Sequence, residues 1–239
     1  MAKHKTEPAS VARYVTADDA EVVARMIRQR WASAAPAEKL PTTETLLERI
    51  GNVPEYSFAS FDANGEARAA LFLMGVSREA MSESRSWSEI CDDGTAASHI
   101  PNSRYLFGMS LTSVDWQASE RLFAFVRSEL LRRGFREIFL GSPVSGLKKW
   151  MVQNPHESVD TYVHSQLELK GKKLPLDPLL QVYYRLGFRE IVRVTPRYFP
   201  YESSLDYGVI IRTTNPAWFL SPLFQVFPRA VLSRLHHVR

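Results

Sequence analysis

The 239-residue chain has one cysteine, Cys91, which excludes an intrachain disulfide and a cysteine-based zinc site. Its six histidines show no metal-ligand spacing near acidic partners, so no metal is expected. A reduced, cytoplasmic setting is the default for this cysteine usage. No apolar run is long enough to cross a bilayer, because the best candidate, Trp218 to Leu232, is interrupted by Pro222 and Pro228. The first ten residues are polar, lack the apolar centre of a signal peptide and are expected to be disordered. No repeat, low-complexity tract or interdomain linker is visible. Glycine is missing at one telling place. Leu111 to Phe135 reads as strand, short turn and helix, yet no glycine stands between Val114 and Gly134. In many α/β proteins such a turn holds a phosphate, and glycine lets its backbone curl around the anion.

What is present describes an ordinary globular protein. Hydrophobic residues make up 45%, aromatics 11% and charged residues 23%, enough for a real core in a single domain spanning 1–239. Basic residues exceed acidic ones by 30 to 26, and placement matters more than this small excess. They gather at Lys148 and Lys149, at Lys170, Lys172 and Lys173, at Arg185, Arg189, Arg193 and Arg197, and in the tail at Arg229, Arg234 and Arg239. Such positions suit phosphates, although most charge runs are simply solvated faces.

Periodicity gives the elements. Thr16 caps a helix whose apolar stripe is Val23, Met26, Ile27 and Trp31, and Leu46, Leu47 and Ile50 mark a second. Asn64-Gly65 joins two strand-like runs into a hairpin. Ser77 to Asn102 reads as a long polar loop of the functional or mobile kind. A strand ending near Val114 leads to a helix from about Ser119 to Arg133, with Leu122, Phe125, Val126 and Leu130 facing inward and Gly134 as its stop. After a strand at 136–142 comes an insertion from Pro143 to Pro178, carrying a short helix at about Leu147 to Val152. Asp177-Pro178 starts a further helix and Gly187 stops it, and strands at 189–194 and 207–213 complete a mixed α/β sheet flanked by helices. Residues 213–239 form a C-terminal extension, expected to pack on its own domain or a second subunit.

The order of elements, with Tyr183, Leu186, Gly187 and Phe188 followed by the tyrosine-rich turn 196–208, resembles the GCN5-related N-acetyltransferase (GNAT) superfamily. The likeness spans about Val15 to Arg212 and is carried mainly by 111–140 and 177–212. It implies a GNAT-like sheet with the insertion before the last helix of the fold, and direct attack of a small-molecule or peptide amine on an acyl thioester or ester. By the same likeness, Leu111, Ser113 and Val114 would bind the donor's arm, and N–H groups near Val114 would polarise its carbonyl. Gln117, Ala118, Ser119, Glu120 and Arg121 would hold the pyrophosphate of an acyl-CoA co-substrate. Tyr183 would protonate the leaving group. The family's turn is normally glycine-rich. Here only the short stretch from Asp115 to Ser119 is available, with a carboxylate and the bulk of Trp116.

The shortened turn opens other donors: a carrier-protein thioester, or aminoacyl-tRNA held by Lys148, Lys149, Lys170, Lys172 and Lys173. It also leaves room for a catalytically inert binding module of the same fold, and a homodimer is compatible with the tail. Asp115, Asp160, His164 and Glu168 are candidate general bases, of which His164 alone has an unperturbed pKa suited to the task.

Overall fold

Val11–Tyr14 forms an edge strand, β1, in the computed structural model, which describes residues 10–33 and 36–232. The periodicity above did not reveal it, because four residues are too few to show alternation. It is followed by α1 (Ala20–Trp31), α2 (Thr43–Asn52) and the hairpin β2 (Ser57–Phe61) and β3 (Ala67–Gly75). Next come α3 (Trp87–Cys91), β4 (Tyr105–Ser113), α4 (Trp116–Arg133) and β5 (Glu137–Pro143). The insertion contains α5 (Leu147–Gln153), α6 (Val159–His164) and a two-stranded hairpin of β6 (Gln166–Leu169) and β7 (Lys172–Pro175). The chain then adds α7 (Pro178–Arg185), β8 (Glu190–Thr195), β9 (Gly208–Thr214), α8 (Ser221–Val226) and α9 (Arg229–Leu232).

Among the described residues, seven strands make one sheet in the order β1-β2-β3-β4-β5-β9-β8, parallel only between β4 and β5. The hairpin follows from its turn. The Asp62 carboxylate accepts from the backbone of Asn64 and Glu66, and Gly65 takes a left-handed φ of 80°.

Strand register sorts the two faces. Tyr14, Phe58, Leu71 and Leu111 are paired in succession and share a face, on which Phe125 of α4 packs against Tyr14 and Phe58. Leu73, Gly108, Leu140 and Ile211 continue that face, and α7 packs on it. The opposite face holds Phe72 and Thr112. Trp31 of α1 donates to the Thr112 hydroxyl at 3.0 Å, and the Arg49 guanidinium of α2 lies over the Phe72 ring. Leu122, Val126 and Leu130 of α4 are buried, each worth about 1.5–3 kcal/mol relative to exposure.

Three expectations need correction. Residues 77–102 are not a loose loop: Met81, Ile90, Cys91 and Ala96 are buried, and Ser86 caps α3 by accepting from the Glu89 backbone at 3.2 Å. Helix α4 begins at Trp116, three residues before Ser119, because the Asp115 carboxylate caps it. The insertion, expected to carry one short helix, also holds a second helix and, across its basic stretch, the β6–β7 hairpin. The stops fall where glycine predicted them, with Gly134 at φ 74° after α4 and Gly187 at φ 99° after α7.

Buried Asp177 ties the insertion to the main body. It caps α7 by accepting from Leu179 and Leu180, and it also receives the Gly146 N–H and the Tyr162 hydroxyl, all between 2.9 and 3.1 Å. The described part of the tail, through Leu232, packs on α4 of its own domain. Trp218 lies under the Arg104 guanidinium, 4.4 Å from ring centre to carbon, and Arg229 pairs with Glu129. Arg234 and Arg239 fall outside the described residues, as do residues 1–9 of the segment expected to be disordered. Its remaining residue, Ser10, is held by Arg121. No described helix is long and apolar enough to cross a membrane.

Candidate active site

The parallel pairing of β4 with β5 runs from Tyr105↔Glu137 to Gly108↔Leu140 and stops there. Both strands continue, β4 to Ser113 and β5 to Pro143, so they part and leave an opening in the sheet. A bulge helps to part them. Phe72 pairs with Ser110 and Leu73 with Gly108, which leaves Met109 as the extra residue of β4. The Met109 carbonyl accepts the Trp87 indole N–H at 2.8 Å.

The backbone lining this opening follows from alternation. The Val114 N–H donates to the Arg68 carbonyl at 3.0 Å, toward β3. The N–H and C=O of Leu111 and Ser113 therefore point the other way, toward the opening, and the Ser113 carbonyl accepts the Arg30 Nε there at 3.3 Å. Of the three residues expected to bind a donor arm, Leu111 and Ser113 face it and Val114 does not.

The outer end of the opening is the start of α4. There the Asp115 carboxylate accepts the Gln117 N–H at 3.0 Å, in the place that an incoming anion would take. The Ser119 hydroxyl is turned to the Ser113 hydroxyl at 2.5 Å. Ala118 is buried, Glu120 is exposed, and Arg121 donates to the Ser10 carbonyl and hydroxyl at 3.0 and 3.1 Å. A negative group thus sits where a pyrophosphate would sit. Val114 and Trp116 add exposed apolar surface beside it, Trp116 being 67% exposed.

Tyr183 is half-buried on α7, with its ring edge-on to Phe188. Burial pushes its hydroxyl up to about 12, and no charged group beside it contributes. His164 lies elsewhere. It is exposed, its Nδ1 is 3.0 Å from the Asp160 carbonyl, and with Tyr184, Arg189 and Glu190 it lines a separate cavity of about 310 Å³ between α7 and the insertion. Tyr183 does not line that cavity. Asp160 and Glu168 are exposed, and Asp115 is committed to its cap. The lysines are dispersed: Lys148 pairs with Glu202, Lys149 is exposed on α5, and Lys170, Lys172 and Lys173 are exposed on the β6–β7 hairpin.

One residue that the sequence reading passed over stands at the inner end of the opening. Tyr198, on the β8–β9 loop, is 2% exposed. Its ring lies against Gly141 and Gly208, and its hydroxyl oxygen would be 1.5 Å from a Cβ at Gly141. Gly141 is the first residue of β5 beyond the last pair with β4. The Tyr198 hydroxyl has no hydrogen-bond partner among the described residues. Burial holds it well above the usual tyrosine range, with Cys91 and Tyr183 adding to the push and Arg193 opposing it. Gly141 faces the α1 side of the sheet and α7 packs on the other, so Tyr198 and Tyr183 lie on opposite faces of the sheet. The available signal was the pair of strand glycines, which a tyrosine-rich turn between them could fill.

Sequence comparison finds no matching family model and no matching curated protein. Solved structures do match. The loading GNATL domain of CurA from Lyngbya majuscula superposes with a TM-score of 0.68 at 14% identity, over 86% of this chain and 97% of that one. The GphF GNAT-like decarboxylase in complex with isobutyryl-CoA gives 0.66 at 19%, over 85% and 98%. Malonyl-CoA decarboxylase from Agrobacterium vitis gives 0.60 at 11%, over 94% and 67%. The mixed sheet, its parted central strands and these superpositions together give the chain the fold of the GCN5-related N-acetyltransferase superfamily.

Proposed function

We propose that the chain is an N-acyltransferase whose donor is an acyl thioester on a pantetheine arm lying between β4 and β5. One observation carries this reading: the sheet is open along Leu111 and Ser113, while at the helix start beyond them the Asp115 carboxylate already accepts the Gln117 N–H. A pantetheine arm is common to CoA and to carrier proteins, and only CoA brings the pyrophosphate. The open strand edges suit the arm's amides. The capped turn, with exposed Val114 and Trp116, suits a donor that asks nothing of the helix start.

The chemistry balances with the residues available. The acceptor amine attacks the thioester carbonyl, the C–N bond forms and the C–S bond breaks. The Tyr183 hydroxyl gives its proton to the departing sulfur, and the resulting tyrosinate takes up the proton that the amine releases, which restores the tyrosine. With its hydroxyl pushed up to about 12, Tyr183 is a proton donor throughout the physiological range. Exposed His164, in a different cavity, has no part in this step.

The likeness to a GNAT-like decarboxylase favours a second reading, loss of CO₂ from a carboxyacyl thioester held in the same opening. The two are separated by their products. Incubation of the chain with acyl-pantetheine and a panel of amines should release free thiol only when amine is present. CO₂ release from a carboxyacyl thioester without amine supports the second reading instead. Titration with charged tRNA at two salt concentrations tests the aminoacyl donor, and the dispersed lysines predict weak binding.

A further inference from the structure

The solvent side of the C-terminal helix α8 is apolar, where a surface helix is ordinarily polar. A single 3₁₀ turn, Trp218–Leu220, runs directly into α8. Phe219, Leu223 and Val226 recur at four- and three-residue spacing and so share one face, with Phe227 following at the helix end. They are 61%, 57%, 79% and 45% exposed, and Pro222 beside them is exposed too. The polar side chains turn to α4 instead. Gln225 donates to the Arg132 carbonyl at 3.4 Å, and Ser221 is packed against Gly134. The usual amphipathicity is thus reversed. A lone exposed apolar side chain is normal on a surface, but a contiguous group of them marks a binding surface.

Arginines stand at both ends of this face. At its start the Arg104 and Arg136 guanidinium carbons lie 4.4 and 6.0 Å from the centre of the Trp218 ring, and the Phe219 ring is edge-on to Trp218 at 6.3 Å. The two arginines are held side by side, because the Arg136 N–H donates to the Arg104 carbonyl at 2.7 Å. At the other end Arg132 donates to the Phe227 carbonyl at 3.4 Å. None of these three arginines pairs with a carboxylate among the described residues. The nearby buried acids are already taken, Glu137 by Arg78 and Arg212 and Glu129 by Arg229. The segment itself brings none, since no aspartate or glutamate follows Asp206 in the sequence.

We propose that this face is a peripheral docking surface for an anionic phospholipid bilayer. Phe219, Leu223, Val226 and Phe227 enter the boundary between headgroups and acyl chains, and Arg104, Arg132 and Arg136 meet the lipid phosphates. Charge decides between this occupant and a second copy of the chain. A two-fold pairing of the face with itself sets arginines toward arginines, with no acid in either patch to answer them. An anionic bilayer satisfies the apolar and the cationic parts together. The face lies at the C-terminal end of α4 and the donor opening at its N-terminal end, about 27 Å away along the helix. Docking here does not involve the opening, so the proposal holds whatever the donor.

Vesicle flotation with the full chain at low salt tests it, comparing phosphatidylcholine vesicles with vesicles that are half phosphatidylglycerol. The partition coefficient should be at least about tenfold higher on the anionic vesicles and should fall as salt is raised. Leu223→Asp and Val226→Asp should each lower it at least about tenfold, and Arg104→Gln and Arg136→Gln about fivefold each. Both aspartate variants should melt with wild type, because the side chains they replace are already exposed. Sedimentation velocity of the same proteins without vesicles examines the second copy. No binding to the anionic vesicles at low salt, binding that survives both aspartate variants, or binding indifferent to phosphatidylglycerol overturns the membrane surface. A dimer that Leu223→Asp dissolves, found without vesicle binding, overturns it too and gives the face to a second copy.

Discussion

The Tyr198 hydroxyl fills the space that a side chain at Gly141 would occupy, 1.5 Å from the position of a Cβ there. The contact falls where β5 leaves β4, so packing of the β8–β9 loop and opening of the sheet are coupled at one residue. Gly141→Ala should therefore destabilise the protein by about 1–3 kcal/mol, read from denaturant midpoints at unchanged slope. Most of that added cost should vanish when alanine is introduced into a Tyr198→Ala background, because the two positions share one space.

Tyr183→Phe should lower the rate of thiol release by about a hundredfold or more while thioester affinity stays within about threefold. The pH profile adds a sign. Burial raises the hydroxyl to about 12, so its acid form persists above the ordinary tyrosine range. Activity should not fall through tyrosine ionisation as pH rises to 10, and a tyrosine-like decline centred near pH 10 would argue against this role.

Asp177→Ala should be the most damaging single change in the insertion. It removes the cap of α7 and leaves the Gly146 N–H and the Tyr162 hydroxyl without an acceptor. A loss of about 2–4 kcal/mol is expected from the cap and the buried donors together, measured by chemical denaturation.

Asp19 links stability to acid. Its carboxyl is held at about 2, first by hydrogen bonds from Arg13 and then by Thr16, against the cost of burial. A depressed carboxyl stabilises the fold above its unfolded pKa, and that contribution is lost as pH falls from about 4 toward 2. The melting-temperature gap between wild type and Asp19→Asn should be present at pH 7 and shrink across that window.

The sequence revealed the α/β class, the hairpin at Asn64-Gly65, the glycine stops at Gly134 and Gly187 and the cap at Asp177, because each is a local rule written in a few adjacent residues. Strand β1 was hidden by its length, and the insertion hairpin by its charged, exposed residues. The start of α4 was misplaced because alignment to a longer turn outweighed Asp115, an ordinary cap. The site divides in the same way. The place of Tyr183 on a helix stopped by Gly187 was legible, while its role as proton donor came from the resemblance alone. Tyr198 meets Gly141 and Gly208 from a separate segment, and only tertiary packing unites the three. Local periodicity carries no trace of such a grouping.

Asp115 makes the donor reading adjustable. Asp115→Ser keeps a capping hydroxyl and removes the negative charge from the helix start, so affinity for acyl-CoA should rise several-fold relative to acyl-pantetheine. An unchanged ratio would mean that the carboxylate does not exclude the pyrophosphate.

The most direct test of the account is the ratio of dissociation constants for butyryl-CoA and butyryl-pantetheine, measured on the full chain by calorimetry at low salt. Low ionic strength gives the pyrophosphate its best chance to contribute. A donor site that uses only the pantetheine arm predicts values within about threefold of each other. Butyryl-CoA binding about thirtyfold tighter or more would contradict it and place the pyrophosphate back on the protein.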